Sequence, residues 1–246
     1  MPANFLKLPS ELRNSVYELC LLHQEPIDPC TGYNQRQELT PGLFRTNKIV
    51  HREASSLFYA QNRFDFTAAS PEDVASFLGT IGRNNADYIR HVCVNFPELH
   101  HLEPREVTLE DGSIGTFANI QSGCANLKTL TTSLYTTNAM MLRLDALDNL
   151  KIVTEALKLV DTLFRASASL QEIIVEVYED GQSDYIRREM VKHGWTISAV
   201  EYVEEWGTDR SFGDIDCDHD HGSDDHLGDD DYDIDNDSDF WRRAAD

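Results

Sequence analysis

The sequence predicts a mixed α/β fold, in which N-terminal helices are followed by βα units that form an irregular, partly parallel sheet and then by a disordered acidic tail. Three observations support this prediction. Helix-like and strand-like periodicities alternate along residues 1–200, as in βα proteins. The hydrophobic share of 41% among 246 residues is sufficient for a sizeable core. The charge is uneven, because residues 201–246 carry 18 acidic and 3 basic side chains within a chain of net charge −22.

The first two predicted helices span residues 10–22 and 41–61, and a loop or short hairpin over residues 23–39 joins them. Ser10 is the predicted N-cap of the first helix, because its hydroxyl can accept from the amides of the first turn. The second helix has an apolar face and a basic face, formed by Val50, Ala54, Leu57 and Phe58 and by Arg45, Lys48 and Arg52. The basic face is expected either to be solvated or to contact an acidic segment such as the tail.

Strands alternate with helices along the rest of the body. Strands are predicted at 64–66, 89–96, 127–134, 173–178 and 195–203, and helices from Pro71 onward, at 148–166 and at 184–193. Ser70 and Asp73 are spaced as a helix-capping pair, and Gly194 is suited to end the last helix. The wide apolar band of helix 148–166 is typical of a helix that packs on a sheet. Residues 97–122 receive no assignment, since glycines interrupt their pattern.

A weak internal repeat accompanies three of the strands. Segments 89–94, 127–132 and 170–175 share the apolar spacing LxxLxL, which is the strand pattern of leucine-rich repeats. Two interpretations remain open. The body is either a degenerate repeat of this kind or an ordinary α/β layer whose strands share a common pattern.

Two N-terminal motifs resemble those of a known family. The pattern LPxELRxxVYxL covers residues 8–19, and RTNKIxHxEAxxLFYxxNxF covers residues 45–64. Together they resemble a large group of fungal F-box-like proteins. The resemblance implies an F-box-like helical module over residues 1–68. Periodicity and charge divide the rest of the chain into a βα body over 69–206 and a disordered acidic tail over 207–246.

The F-box resemblance also implies a partner. The first helices of F-box proteins dock on the Skp-type adaptor of a cullin–RING ubiquitin ligase, and the rest of the chain holds a client. Carried over to this sequence, Leu8, Pro9, Leu12 and Val16 would lie in or beside the docking surface. The apolar spacing of Leu12, Val16 and Leu19 has an alternative explanation, in which these side chains pack into the core of the protein itself.

No pattern of catalytic residues is visible, and the sequence therefore predicts no enzyme activity, no cofactor and no metal site. His51 and Glu53 are two residues apart on a helix and do not share a face. His100 and His101 are expected in a solvated loop. The metal-ligand side chains of the tail are Cys217, His219, His221 and His226, and they lack a folded frame to fix their geometry.

Composition limits the classes of partner and the cellular compartments that we expect for this protein. A net charge of −22 argues against nucleic acid, because phosphate binding needs a basic surface. Five cysteines without a CxxC pair fit reduced thiols, and neither a signal peptide nor a membrane-spanning run is visible. We therefore expect an intracellular protein, cytoplasmic or nuclear and not secreted. Its predicted function is non-catalytic protein binding, as a ligase adaptor or as a ligase-independent protein whose tail binds basic proteins.

Overall fold

A computed structural model of the protein describes residues 5–30, 41–103, 106–179 and 183–201. The helices are α1 (Ser10–Leu21), α2 (Lys48–Gln61), α3 (Pro71–Ala86), α4 (Asp111–Gly123), α5 (Leu134–Asp145), α6 (Leu150–Phe164) and α7 (Asp184–Lys192). The strands are β1 (Arg63–Asp65), β2 (His91–Val94), β3 (Leu99–Glu103), β4 (Glu106–Leu109), β5 (Thr129–Thr132), β6 (Glu172–Tyr178) and β7 (Thr196–Val200). Short 3-10 helices precede α1 and α2, at Phe5–Lys7 and Pro41–Arg45. The predicted acidic tail, 207–246, lies outside the described residues.

The mixed α/β class is confirmed, with a regular sheet. Five strands pair in the order β1-β2-β5-β6-β7 and all are parallel, whereas β3 and β4 form a separate antiparallel hairpin. Five pairs of helices contact each other in chain order, namely α1 with α2, α2 with α3, α3 with α4, α4 with α6 and α6 with α7, whereas α5 contacts β6 and α7. Connections between parallel strands are right-handed. Because each successive strand of this sheet is added on the same side of the previous one, the connecting helices lie on one face of the sheet.

The residues of the predicted repeat occupy equivalent positions in neighbouring strands. Val92 pairs with Leu130 and Leu130 pairs with Ile173, in rows that run across β2, β5 and β6. All three side chains are buried on the helix-covered face. Phe64 extends the row into β1, where it pairs with Val92. The shared spacing therefore marks the sheet positions that carry the core.

One hydrophobic core runs from Tyr17 near the N-terminus to Trp195 beside β7. Aromatic rings of α2, β1 and α3 meet at Phe64, and a second aromatic group surrounds Phe164. β1 belongs to the N-terminal segment by sequence and is also the edge strand of the sheet. Ile27 extends this edge by a single parallel bridge to Phe64. The N-terminal helices and the βα body thus share one core.

Two predicted helix starts are corrected by the structure. Ser10 is the first residue of α1 and Pro9 holds the cap position, so the predicted Ser10 cap is wrong. The predicted helix over 41–61 is divided into a 3-10 helix and α2. The division occurs at Asn47, whose side chain accepts hydrogen bonds from the amides of Ile49 and Val50 and so caps a new helix. The capping pair Ser70 and Asp73 is present as predicted.

The unassigned residues 97–122 form the β3–β4 hairpin and α4, apart from residues 104–105, which lie outside the described ranges. The glycines allow close packing of α4 on α3. A Cβ atom at Gly123 would lie 2.7 Å from Leu78 Cδ1, and one at Gly115 would lie 3.2 Å from Pro71 Cβ. His100 and His101 are exposed, as predicted, but on β3 rather than in a loop. α5 was not predicted, and α6 packs on the hairpin and on α4 and α7.

A glycine interrupts α3. Gly82 has φ 74° and ψ 160°, a region that side chains essentially exclude, and the chain re-enters helix at Arg83. We expect Gly82→Ala to lower the free energy of unfolding by about 1–3 kcal/mol, although nothing lies within 4 Å of the added Cβ. Gly79→Ala is the matched control, because Gly79 lies in the helical part of α3 and also has open space. Urea denaturation should show Gly79→Ala unchanged or stabilised by up to about 1 kcal/mol; equal effects at both positions would contradict the assigned strain.

Candidate interaction surfaces

The two N-terminal motifs meet in space through an ion pair. Arg13 of the first motif donates two hydrogen bonds to Glu53 of the second, at 2.8 Å from Nε and 2.5 Å from Nη2. The Tyr17 hydroxyl donates a third to the same carboxylate at 3.0 Å. Hydrogen bonding from Arg13, with that from Tyr17, holds the pKa of the Glu53 carboxyl below its usual range. Burial and the adjacent carboxylate raise the pKa of Tyr17 to about 12. The Glu53 carboxylate therefore ties α1 to α2.

Asn62 makes the second link between the motifs. Its amide nitrogen donates to the Leu21 carbonyl at 2.8 Å and to the Phe58 carbonyl at 3.0 Å, and its side-chain oxygen accepts from the His23 amide at 2.9 Å. The residue is 1% exposed. Asn62 therefore supplies hydrogen-bond partners to the Leu21 carbonyl at the end of α1 and to the His23 amide just after it. Arg13, Tyr17 and Asn62 thus bond to residues more than 35 positions away in the sequence. The sequence analysis did not predict these contacts.

These links fix which side of α1 faces outward. Tyr17 and Leu21 are fully buried, whereas Leu12 is 53% exposed and Leu19 is 87% exposed. At about 100° per residue, Leu12 and Leu19 lie on the opposite side of the helix from Leu21. The alternative that Leu12 and Leu19 pack into the core of this protein is therefore wrong. Val16 is half-buried, so core packing accounts for only part of this side chain.

The predicted docking residues lie along this outward side. Leu8 is 38% exposed, Pro9 is exposed at the cap position, and Leu12 follows in the first turn of α1. We call Leu8, Leu12, Val16 and Leu19 the α1 stripe. Of the four predicted residues, Leu8, Pro9 and Leu12 are accessible to a partner, and Val16 contributes only part of its side chain.

A basic pocket lies on the other side of α2, and the sequence analysis found only part of it. The pocket has a volume of about 800 Å³. It is bounded by the 3-10 helix and α2, by α3 beyond Gly82, and by the segments that lead into β2 and β5. Five basic side chains and one carboxylate line it: Arg45, Lys48, Arg52, Arg83, Arg90 and Asp87. The predicted basic face of α2 is therefore one wall of a concave surface that later segments complete.

Ser55 also lines this pocket and is buried without a hydrogen bond. The residue is 2% exposed, and its hydroxyl has no partner among the described residues. Serine in a helix commonly bonds to a carbonyl one turn back, and Ser55 does not. A buried polar group without a partner is unusual and needs an explanation.

The sheet face opposite the helices carries a mixture of charged and polar side chains. His91 of β2 lies 2.8 Å from the Thr131 hydroxyl of β5. Burial, with a contribution from Arg63, lowers the pKa of His91 to about 4. Burial also raises the pKa of Glu176 on β6. The part of this face at His91 is therefore neutral near pH 7.

Other features of the described residues bear on the predicted chemistry. The described cysteines, Cys20, Cys30, Cys93 and Cys124, are free thiols. No cluster of three metal-ligand side chains occurs in the described ranges. Within the same ranges, no helix has both the length and the apolar character needed to cross a bilayer. The tail residues Cys217, His219, His221 and His226 lie beyond the described residues.

No protein-family model, no curated protein and no solved structure matches this chain. The resemblance to F-box-like proteins therefore stays a prediction that rests on the two motifs.

Proposed function

We propose that the protein is a non-catalytic interaction protein that docks through the α1 stripe on the Skp-type adaptor of a cullin–RING ubiquitin ligase and holds a client with its βα body. The observation that supports this proposal is the outward orientation of Leu12 and Leu19 on a helix whose rotation is fixed by Arg13, Tyr17 and Glu53. Apolar side chains aligned on the outside of a helix are typical of helix-in-groove recognition.

Burial of the stripe would supply a useful share of the binding free energy. Covering a fully exposed leucine contributes about 1.5–3 kcal/mol, and Leu19 is the most exposed member of the stripe. The ion pair and the buried tyrosine already order α1, so docking would not require helix formation. Preorganisation of this kind favours affinity, because less conformational entropy is lost on binding.

The client would contact a different surface. His91 and Glu176 lie on the face of the sheet opposite the helices, and the polar character of this face suits a protein partner. A ligase-independent protein that binds basic partners through its tail is the alternative. The two functions differ in their requirement for α1.

The test is titration calorimetry of the full-length protein against the purified Skp-type adaptor, for the unaltered chain and for Leu12→Asp. Leu12 is the third residue of α1, where an acidic side chain suits the helix N-terminus, so the variant should fold. We expect Leu12→Asp to weaken binding at least tenfold. Leu150→Asp is the matched control, since Leu150 is 55% exposed at the first position of α6, and it should bind like the unaltered protein.

Failure of the unaltered protein to bind the adaptor would overturn the ligase proposal and favour the alternative. Equal affinity of Leu12→Asp and the unaltered chain would exclude the α1 stripe as the docking surface. Circular dichroism of each variant is the control that tests whether the fold is kept. Sedimentation of the free protein identifies a second copy of the chain as the occupant of the stripe, if Leu12→Asp converts a dimer into a monomer.

A further inference from the structure

We propose that the basic pocket beside α2 binds a small phosphate-bearing molecule. This site is separate from the α1 stripe and from the sheet face that carries His91 and Glu176, so it does not depend on the proposed adaptor function. Two independent observations support it: a concentration of positive charge in a concave surface, and the buried hydroxyl of Ser55.

The charge of the pocket is opposite to that of the chain. Five basic residues and one carboxylate residue line the pocket, in a protein of net charge −22, and Arg90 also donates to the Asn126 carbonyl. Among the described residues, no acidic group lies within 4.0 Å of these five cations. Lys48 and Arg52 are one helical turn apart, a spacing at which like charges repel. A bound anion would offset this repulsion.

Ser55, which lines the pocket, carries a buried hydroxyl that no described protein group uses as a hydrogen-bond partner. Its hydroxyl is shielded from water and has no partner among the described residues, although the residue lines the pocket. Burial of an unpaired hydroxyl is unfavourable, whereas a hydrogen bond to a charged acceptor is among the stronger ones in proteins. An anionic ligand with several acceptor oxygens would satisfy this hydroxyl once rotation of the Ser55 side chain turned it toward the pocket.

Phosphate fits the donors better than a carboxylate does. Arginine guanidinium groups present paired donors that match phosphate oxygens, and four of the five cations are arginines. A phosphate group can also accept from more donors at once than a carboxylate can. The volume of about 800 Å³ lies in the range of small-molecule sites and exceeds that of a lone ion. The aromatic residues Phe44 and Tyr88 are also among those that line the pocket, and they would offer apolar contacts to the organic part of a ligand.

The experiment measures binding of inorganic pyrophosphate and of ATP to the full-length protein by titration calorimetry at low salt, with sodium sulfate at equal ionic strength as a reference. Three variants are compared with the unaltered chain: Arg52→Gln and Ser55→Ala in the pocket, and Lys151→Gln on the exposed surface of α6 as the matched loss of one charge. We expect at least tenfold weaker binding for Arg52→Gln and for Ser55→Ala, and less than twofold change for Lys151→Gln.

Ser55→Ala separates ligand binding from folding. Because the unaltered hydroxyl has no partner, its removal should leave the melting temperature of the ligand-free protein unchanged or higher. A lower melting temperature would show that the hydroxyl supports the fold and would overturn its role as a ligand donor. Unchanged affinity of Ser55→Ala, or an equal loss for Lys151→Gln and Arg52→Gln, would also overturn the proposal.

Two further outcomes decide against a phosphate ligand. The proposal fails if neither pyrophosphate nor ATP binds more tightly than sulfate. It also fails if a hexa-aspartate peptide binds the pocket more tightly than both phosphate probes, since the pocket would then be an acceptor for acidic protein segments.

Discussion

Phe64→Ala should lower the free energy of unfolding by about 3–5 kcal/mol, the largest effect that we expect from any single substitution considered for this protein. Phe64 is fully buried on β1, and its ring contacts those of Phe58, Tyr59 and Phe77. It is stacked on Tyr59 with ring centroids 5.7 Å apart. Removal of this ring would leave a cavity where α2, α3 and the edge of the sheet meet, and urea denaturation followed by circular dichroism measures the loss.

Two companion substitutions test this explanation. Phe64→Leu keeps most of the volume and should lose clearly less stability than Phe64→Ala. Tyr135→Ala removes an aromatic ring that is 77% exposed on α5 and should change stability by no more than about 0.5 kcal/mol. A loss below about 1 kcal/mol for Phe64→Ala would mean that the N-terminal helices do not share their core with the sheet.

Asn62→Ala should destabilise the protein by about 2–4 kcal/mol, because it leaves the His23 amide and the Leu21 carbonyl without the partner that Asn62 supplies. The Phe58 carbonyl is less affected, since it also accepts from the backbone amide of Asn62. The neighbouring exposed residue gives the control, and Gln61→Ala is expected to be nearly neutral.

Chemical denaturation and hydrogen exchange measure different parts of this prediction. The midpoint of urea unfolding reports the total loss of stability for Asn62→Ala. Amide exchange reports its location, and we expect faster exchange at the C-terminal turn of α1 than at β6. A uniform increase across both elements would contradict a local role for Asn62 in holding α1 to the chain that follows α2.

The parts of the fold that depend on residues close together in the sequence could be predicted. Ser70 and Asp73 form their capping box whatever surrounds them, because both partners lie within one helical turn. Gly194 follows α7 with φ +81°, as predicted for the residue directly after the helix 184–193. The repeat spacing identified the buried positions Val92, Leu130 and Ile173, since strand periodicity alone decides which face a side chain occupies.

The parts that depend on distant residues were not predictable from local patterns. Arg13 and Glu53 are 40 positions apart, and nothing near either residue indicates its partner. The glycines of α4 suggested an interrupted chain, yet Gly123 is needed where Leu78 of another helix approaches. The basic pocket was visible only as the face of α2, because Arg83 and Arg90 join it through the kink at Gly82 and the turn into β2.

The order β1-β2-β5-β6-β7 has a consequence for protein synthesis. Each strand of the sheet pairs with the sheet strand that precedes it in the chain, so its partner has already been translated when it emerges from the ribosome. No strand has to wait for a later segment to be inserted between it and its neighbour. The sheet can therefore grow in the direction of translation, with β7 added last.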